Sequence, residues 1–168
     1  MKLRLTARIN KGARPGAKPT ALEHSSTEDW LKKYDAVWGF FNGLAKVWLN
    51  DKYGFVDKDG NEVVPPKYDE VGEFIEGLVA VQLDGKWGFV NKKGRNVIPP
   101  KYNFVWYFSE GLAPVLKGKW GFVNKRGEEV IPLKYNKISF FYDGLAKVWL
   151  NGKELLIDKQ GEIVTSVV

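Results

Sequence analysis

The apolar stretches of this chain alternate between apolar and polar or aromatic residues with a period of two. In residues 43–50, Ala45, Val47 and Leu49 fall on one face, and the residues between them fall on the other. Residues 144–151 repeat the same eight letters, so the same alternation recurs there. This period is typical of a β-strand with one buried face. The pattern therefore predicts short strands along most of the chain.

Turn-forming segments separate these predicted strands. Asp84-Gly85 and Asn151-Gly152 are typical of two-residue hairpins, in which glycine accepts a positive φ. Four further segments begin with Asp or Asn and end with Gly three residues later, which predicts a type I turn closed by a left-handed glycine. These segments are residues 57–60, 91–94, 124–127 and 158–161.

A strand is predicted after each of these four turns, and in the first three cases it runs into proline. The strands are Val63-Val64, Val97-Ile98, Val130-Ile131 and Ile163-Val164, and the prolines are Pro65-Pro66, Pro99-Pro100 and Pro132. Because proline lacks a backbone N–H, we expect it to end strand pairing. Each period is therefore interpreted as a three-stranded antiparallel meander followed by a connector.

These elements recur as four copies of one repeat. A tyrosine marks each copy, at spacings of 34, 34 and 33 residues, with a phenylalanine and a glycine at fixed positions after it. The glycines and prolines of each copy would break the helices of helical repeats with a similar period. The markers are Tyr34, Phe40 and Gly43, then Tyr68, Phe74 and Gly77, then Tyr102, Phe108 and Gly111, then Tyr135, Phe141 and Gly144.

One three-stranded meander cannot bury its own apolar face, so neighbouring repeats must stack. We therefore expect an all-β domain of tandem antiparallel meanders stacked as an open array. The repeats are assigned to about residues 32–66, 67–100, 101–133 and 134–168. A small closed propeller, with the connector as a fourth strand, is the alternative. The fourth repeat departs most from the others, as a terminal repeat would.

The excess of basic residues is confined to the start of the chain. The chain has 26 Lys and Arg against 20 Asp and Glu, and residues 1–20 contain six basic and no acidic residues. The rest of the chain is therefore neutral overall. Residues 2–9 alternate as an amphipathic strand, which could pair with this chain's own sheet or with a partner's sheet. Residues 1–31 are interpreted as a basic N-terminal arm followed by a Gly/Pro linker.

Composition excludes several classes of site. The absence of cysteine excludes disulfides, thiolate zinc sites and cysteine nucleophiles, and the single histidine excludes multi-histidine metal sites. Residues 24–29 suit the start of a short helical turn better than a hydrolase site. Residues 57–62 suit a hairpin turn better than a calcium loop. We therefore expect no catalytic residue, no metal and no cofactor.

The sequence also lacks signals for a membrane or for export. No apolar run approaches the roughly 18 residues that a membrane helix needs. The N-terminus lacks the apolar segment of a signal peptide. We therefore expect a location in the cytoplasm or within a particle that is assembled inside the cell.

The repeat divides the aromatic residues into two groups. Trp87, Phe89, Trp120 and Phe122 recur within the repeat and are expected in the core. Aromatic residues outside the repeat pattern can pack as a second layer over the sheet or form an exposed interface, and we expect some of them to be exposed. The predicted partner-binding residues are Trp38, Trp48, Trp106, Tyr107 and Trp149, together with Lys2, Arg4, Arg8, Lys11, Arg14 and Lys18 of the arm.

The recurring sequence Lys-Trp-Gly-Phe-Val-Asn, with Val-Ile-Pro-Pro-Lys-Tyr after it, resembles the WG repeat family. The resemblance covers about residues 32–164, although Tyr53 replaces the tryptophan of the first repeat and Glu154 replaces that of the fourth. It implies a non-catalytic repeat scaffold. It supplies no catalytic or ligand-binding residue that could be transferred to this chain.

Three functions fit these observations. The first is a non-catalytic interaction or structural module whose arm docks into a partner protein or a larger assembly, such as a phage or cellular particle. The second is binding to nucleic acid or the ribosome through the arm and the connector aromatics, although the body has no net positive charge. The third and weakest is binding of a glycan or small ligand on exposed tryptophans.

Overall fold

The computed structural model describes residues 29–166. This part of the chain consists of β-strands preceded by one 3₁₀ helix, Asp29–Lys33, which confirms the predicted helical turn. The predicted strand over residues 2–9, the linker and His24 lie outside the described residues. The strands are β1 (Ala36–Val37), β2 (Leu44–Leu49), β3 (Lys52–Asp57), β4 (Glu62–Tyr68), β5 (Glu70–Val71), β6 (Leu78–Leu83), β7 (Lys86–Asn91), β8 (Asn96–Tyr102), β9 (Phe104–Val105), β10 (Leu112–Lys117), β11 (Lys119–Asn124), β12 (Glu129–Tyr135), β13 (Lys137–Ile138), β14 (Leu145–Leu150), β15 (Lys153–Asp158) and β16 (Ile163–Ser166).

The strands form four antiparallel sheets, one for each repeat. Each sheet has four strands in chain order, β1 to β4, β5 to β8, β9 to β12 and β13 to β16, and none of these sheets closes on itself. The prediction of tandem open antiparallel sheets is confirmed. The connector after each repeated tyrosine supplies a two-residue first strand, so the preferred prediction of three strands is wrong and the fourth strand of the alternative is present. We number repeats 1 to 4 after their sheets.

The chain divides between Tyr68 and Asp69 into two compact units. The described part of the first unit contains the 3₁₀ helix and the sheet of repeat 1. The second unit contains the sheets of repeats 2, 3 and 4.

The hairpin between the second and third strands of a repeat has the predicted geometry. Asp84 and Gly85 have φ of 51° and 72°, and Asn151 and Gly152 have φ of 50° and 79°. Positive φ at both central positions identifies the type I′ turn that matches the twist of a hairpin. In repeat 3 the hairpin is one residue shorter, because Lys117 pairs with Lys119 around Gly118. This deletion explains the spacing of 33 instead of 34 residues.

A second tight turn precedes β2, β6, β10 and β14 and was not assigned from the sequence. In repeat 2, Ile75 and Leu78 exchange both backbone hydrogen bonds, at 2.9 and 3.1 Å, around Glu76 and Gly77. Glu76 has φ of 51° and Gly77 has φ of 86°. The overlooked signal is the recurring dipeptide at this position, which is Asn42-Gly43, Glu76-Gly77, Glu110-Gly111 and Asp143-Gly144.

The prolines do not end strand pairing, so that prediction is wrong. Strand β8 continues through its two prolines, and Trp87 pairs with Tyr102 beyond them, after a register shift that marks a β-bulge. Strand β8 lies at the edge of its sheet, where proline is tolerated if its missing N–H faces away from the neighbouring strand, and the bulge interrupts the regular pairing at the two prolines. The glycine of each Trp-Gly pair faces this bulge. A Cβ on Gly88 would collide with the Ile98 carbonyl oxygen and lie 2.7 Å from the Pro100 nitrogen.

The predicted strand Ile163-Val164 lies within β16, but this apolar pair is offset by one residue from Val97-Ile98 of repeat 2. Leu156 pairs with Thr165, as Phe89 pairs with Ile98 in repeat 2. The residues equivalent to Val97-Ile98 are therefore Val164-Thr165, and Ile163 occupies the position of Asn96. The sequence pattern suggests the wrong equivalence because repeat 4 has a polar threonine where the other repeats have Val or Ile.

The core of the second unit lies between the sheets of successive repeats. Residues of repeat 2, including Phe89, pack with residues of repeat 3, including Phe108, and the two ring centroids lie 4.9 Å apart. Phe122 and Phe141 form the same contact between repeats 3 and 4, at 4.7 Å. The predicted stacking of neighbouring repeats is confirmed within this unit. Phe89 and Phe122 are buried as predicted, whereas the adjacent tryptophans Trp87 and Trp120 are only half-buried.

The core of the first unit lies between the sheet of repeat 1 and the 3₁₀ helix. Tyr34, Ala45, Val47 and Val56 are buried there, and the half-buried Trp30 packs against them. A Cβ on Gly60 would collide with the Trp30 ring. The 3₁₀ helix therefore covers an apolar face that the sheet alone would leave exposed to water.

Candidate interaction surface

Six aromatic residues of repeats 2, 3 and 4 form one continuous group, which we call the aromatic surface. Strand β9 positions its central members, because Val105 points into the core while Phe104 and Trp106 on either side point away from it. The backbone N–H of Trp106 donates to the Pro114 carbonyl at 3.0 Å, which holds the connector against β10. The members are Trp87, Phe104, Trp106, Tyr107, Trp120 and Phe140.

Ring contacts link these residues in series. The Phe104 ring lies 5.1 Å from Trp106, 6.1 Å from Trp87 and 6.2 Å from Trp120, with edge-to-face geometry in each case. Phe140 lies 5.7 Å from Trp106 edge-to-face and stacks on Tyr107 at 4.4 Å. Aromatic pairs at these distances stabilise one another by about 0.5–1.5 kcal/mol beyond their area burial. The side chains are therefore held in place by one another.

The aromatic surface remains open to solvent at two of its six members. Trp106 is 44% exposed and Tyr107 is 45% exposed, whereas the other four members are half-buried. Large exposed aromatic groups on a stable fold are uncommon unless they form an interface. The surface is thus preorganised and accessible.

Repeat 3 has large apolar residues at two facing positions, whereas each other repeat has a small or charged residue at one or both of them. The position of Trp106 is taken by Trp38, Gly72 and Ser139 in repeats 1, 2 and 4, and that of Pro114 by Lys46, Ala80 and Lys147. In repeat 4 this face is polar, since Lys147 forms an ion pair with Glu154 at 2.9 Å. The proline is tolerated in a central strand because its missing N–H would face the connector beyond the end of β9.

The predicted partner-binding residues are distributed over several places. Trp106 and Tyr107 both belong to the aromatic surface. Trp38 is half-buried and packs 6.0 Å from Tyr53, and Lys46 lies 4.9 Å above the Trp38 ring. Trp48 and Trp149 are also half-buried. Trp48 is paired in register with Ala36 and Tyr53 on the neighbouring strands. The Lys137 ammonium lies 4.7 Å from the centroid of the Trp149 ring. The basic residues Lys2, Arg4, Arg8, Lys11, Arg14 and Lys18 lie outside the described residues.

Phe140 is one of the connector aromatics outside the repeat pattern but is not among the predicted partner-binding residues, although it completes the aromatic surface. The available signal was its position five residues after Tyr135, the same offset that separates Tyr107 from Tyr102. This offset places the two side chains side by side in successive repeats, where they stack.

Glutamates of the tight turns connect successive repeats of the second unit. Glu76 accepts a hydrogen bond from the Gly111 amide at 3.0 Å and pairs with Lys125 at 2.9 Å. Glu110 accepts one from the Gly144 amide at 3.0 Å and pairs with Lys159 at 3.1 Å. The hydrogen bond from Lys159, helped by the Gly144 amide, lowers the pKa of Glu110. These contacts fix the turns at which the connectors that carry the aromatic surface end.

A second contact of this kind joins repeats 3 and 2 through a buried tyrosine. The Tyr102 hydroxyl donates to Glu129 at 2.8 Å. Burial and this hydrogen bond raise the pKa of Tyr102. The carboxylate thereby satisfies a hydroxyl that stacking removes from water.

The carboxylate of Glu110 makes stability depend on pH. A carboxyl whose pKa is lowered by folding stabilises the folded state above its unfolded pKa, near 4.3, and loses that effect as the pH falls. We therefore expect Glu110→Gln to lower the melting temperature at pH 7, and the gap to wild type to close in acid. Thermal unfolding of both proteins across this range measures the gap. Glu162→Gln is the control, and a gap that stays constant from neutral to acid pH would contradict the expectation.

Polar side chains of the described residues hydrogen-bond the backbone of turns. Asp57 accepts hydrogen bonds from the Asp59 and Asn61 amides, both at 2.9 Å, which confirms the predicted hairpin turn at this segment. Within residues 29–166, no group of three or more His, Cys, Asp or Glu side chains is arranged to hold a metal ion. In the same range, no helix has the length and apolar character needed to cross a bilayer.

Solved structures show limited similarity to this chain. One is described as KlHsv2 with loop 6CD replaced by a Gly-Ser linker, with 9% identity and a TM-score of 0.44 over 72% of this chain and 46% of that chain. Another is a protein of unknown function from Bacteroides caccae, with 16% identity and a TM-score of 0.34 over 78% of this chain and 59% of that chain. This chain thus spans about half the length of these two proteins. No curated protein matches the sequence significantly.

The family comparison agrees with the repeat seen in the sheets. The sequence profile described as WG containing repeat matches four consecutive segments, residues 32–53, 53–87, 87–119 and 120–153. Together these segments cover more than half of the chain, and the N-terminal arm lies outside them. The chain is a β-repeat module that belongs to the WG repeat family.

Proposed function

We propose that this chain is a non-catalytic binding module that contacts another protein through the aromatic surface. The observation that carries the proposal is the exposure of Trp106 and Tyr107, at 44% and 45%, within a group of rings that hold one another in place. The repeat does not require these two side chains, since the equivalent residues of repeat 2 are Gly72 and Glu73.

The chemistry of the aromatic surface suits a protein partner. Interface cores are enriched in Trp, Tyr and Phe and depleted in charged residues, and all six members of this surface are aromatic. Because the rings pack against one another, little side-chain entropy remains to be lost on binding. A few such residues at the centre of an interface commonly contribute most of the binding energy.

The N-terminal arm is proposed as a second point of contact with the same partner. Its six basic residues, Lys2, Arg4, Arg8, Lys11, Arg14 and Lys18, would add electrostatic steering to the apolar contact. We further propose that the partner belongs to a multi-subunit assembly, in the cytoplasm or in a particle assembled within the cell. A scaffold role without catalysis agrees with what the WG repeat family implies.

A quantitative pull-down from the source extract tests this function. The baits are the tagged full chain, the double variant Trp106→Ala/Tyr107→Ala and the control Phe41→Ala, which removes an exposed aromatic residue from repeat 1. We expect one protein to be retained by the wild type and the control, and its recovery to fall about tenfold or more with the double variant, as for loss of a binding hot spot. Equal recovery of every retained protein by all three baits would refute the proposal.

Nucleic-acid binding is the second candidate, because the six basic residues of the arm are not offset by any acidic residue within residues 1–20. Titration of the full chain with duplex DNA and with RNA tests it. Binding through the arm would weaken with salt, with a log–log slope of about −0.9 per DNA phosphate neutralised. It would also disappear when the six basic residues are replaced by glutamine and survive in Trp106→Ala/Tyr107→Ala. Binding without this salt dependence, or none at all, would exclude it.

A further inference from the structure

The interface between successive repeats of the second unit has two complementary sides. One side presents Leu, Phe and Ile from the earlier repeat, such as Leu78, Phe89 and Ile98 of repeat 2. The other side presents a connector phenylalanine and small apolar residues of the later repeat, such as Phe108 and Val115. The same arrangement joins repeats 3 and 4. We call the first kind of surface the outer face of a repeat and the second kind its inner face.

The 3₁₀ helix covers the inner face of repeat 1 and makes contacts like those of a preceding repeat. Trp30 stands four residues before Tyr34, as Ile98 stands four residues before Tyr102. A Cβ on Gly127 would lie 3.1 Å from Ile98 Cγ1, and a Cβ on Gly60, the equivalent glycine of repeat 1, would collide with the Trp30 ring. Trp30 therefore occupies the place that an isoleucine of a preceding repeat takes elsewhere.

The polar contacts of the 3₁₀ helix with repeat 1 also match those between repeats 2 and 3. The Tyr34 hydroxyl donates to Glu62 at 3.1 Å, as the Tyr102 hydroxyl donates to Glu129 at 2.8 Å. Lys33 pairs with Glu62 at 2.6 Å, and Lys101 lies 4.0 Å from Glu129. We call residues 29–34 the N-terminal cap.

The cap covers the inner face of repeat 1 incompletely. Phe40 is 37% exposed, although its equivalents Phe108 and Phe141 are 1% and 2% exposed. The ring centroids of Trp30 and Phe40 lie 6.2 Å apart with edge-to-face geometry. This distance is longer than the one between the phenylalanine rings of successive repeats. The cap is thus a weaker partner for this face than a full repeat.

The outer face of repeat 4 is less buried than the outer face of repeat 3. Leu145 and Leu156 are half-buried, whereas their equivalents Leu112 and Phe122 are buried in the contact with the next repeat. Asp143 is exposed at the position where Glu76 and Glu110 bind the following repeat.

The groups that Asp143 would need are present on the inner face of repeat 1. Glu110 binds the Gly144 amide and Lys159, and the equivalents of these two groups in repeat 1 are Gly43 and Lys58. Gly43 is exposed, and Lys58 is 79% exposed and pairs with Asp59. The outer face of repeat 4 and the inner face of repeat 1 are therefore both apolar and carry opposite charges at equivalent positions.

We propose that these two faces are the halves of one intermolecular interface, through which a second copy of this chain docks head to tail, and that the N-terminal cap competes for the inner face of repeat 1. The proposal extends the interface already used between repeats 2, 3 and 4. A head-to-tail interface that does not close into a ring generates an open chain of copies. The cap then limits that assembly, because a protein whose binding face is covered most of the time shows a correspondingly reduced affinity.

Sedimentation velocity of the full chain over a range of concentrations tests the proposal. We expect Trp30→Ala to raise the association constant by about tenfold or more over wild type, in proportion to the uncovered fraction of the face. The control Trp38→Ala removes a tryptophan of the same repeat that packs on Tyr53 and lies off the inner face. It is expected to associate as wild type does. Circular dichroism establishes that each variant is folded, and Trp30→Leu replaces Trp30→Ala if the latter is not.

Two further variants show whether association uses the proposed faces. Adding Leu156→Lys to the Trp30 variant is expected to return the protein to a monomer. Asp143→Lys is expected to weaken association, and adding Lys58→Glu is expected to restore it. A folded Trp30 variant that stays monomeric, that still associates with Leu156→Lys present, or that shows no recovery in the charge-reversed pair, would overturn the proposal.

Discussion

Gly121→Ala is expected to destabilise the second unit by more than about 4 kcal/mol, which is the range of exceptional single substitutions, and to prevent stable folding of repeat 3. A Cβ at this position would lie 2.5 Å from the Ile131 carbonyl oxygen and 2.8 Å from the Pro132 carbonyl carbon. Both atoms belong to the backbone of β12 at its bulge, so neither can move aside as a flexible side chain would. Urea unfolding followed by circular dichroism measures the loss.

Gly85→Asn separates this steric effect from the general cost of replacing glycine. Gly85 has φ of 72°, and a Cβ there would meet no atom within 4 Å. Asparagine tolerates the left-handed region, so the expected cost is below about 1 kcal/mol. If Gly121→Ala were no more destabilising than Gly85→Asn, the close approach of β11 and β12 would not be the reason for the glycine of the Trp-Gly pair.

Phe122→Ala is expected to destabilise the second unit by about 3–5 kcal/mol, the usual cost of removing a buried phenylalanine. The side chain is fully buried and contacts Phe141 of the next repeat at 4.7 Å. Because this pair lies between the sheets of repeats 3 and 4, its loss should loosen repeat 4 before repeat 3. Hydrogen exchange of β14 and β15 amides would detect this local loosening, and urea unfolding would give the global loss.

Tyr142→Ala is the matched control for that substitution. Tyr142 follows Phe141 directly but is 77% exposed, so its removal should change stability by no more than about 0.5 kcal/mol. Equal losses in the two variants, or unchanged exchange in β14 and β15, would show that the phenylalanine pair does not couple the repeats.

Local chemistry was sufficient to predict the long strands and most turns. A strand is predicted by the alternation of Ala45, Val47 and Leu49 alone. Tight turns are predicted by the dipeptides Asp84-Gly85 and Asn151-Gly152 alone. The first strand of each sheet is predicted only in the propeller alternative, because a two-residue strand such as Glu70–Val71 is too short to show a period. The prolines were misinterpreted because a bulge and an edge position, which make them acceptable in β8, are set by the neighbouring strand and not by the local sequence.

Long-range contacts could be inferred only where the repeat itself revealed them. Trp106 and Tyr107 were selected because they depart from the repeat pattern, and the structure places them in one exposed group. The hydrogen bond from the Gly111 amide to Glu76 joins residues 35 positions apart. The sequence around neither residue indicates this contact. Trp30 was not recognised as a cap, because its relation to Ile98 appears only when both are counted back from the repeated tyrosine.

The shortened hairpin of repeat 3 indicates where this chain tolerates changes of length. Removing one residue between β10 and β11 leaves Leu116 paired with Trp120, as Gln82 is paired with Trp87 in repeat 2. The strands on both sides keep their register, and the contacts between sheets are the same in kind. New peptide sequences could therefore be grafted at the tip around Gly118, so that the repeat would serve as a carrier for engineered binding loops.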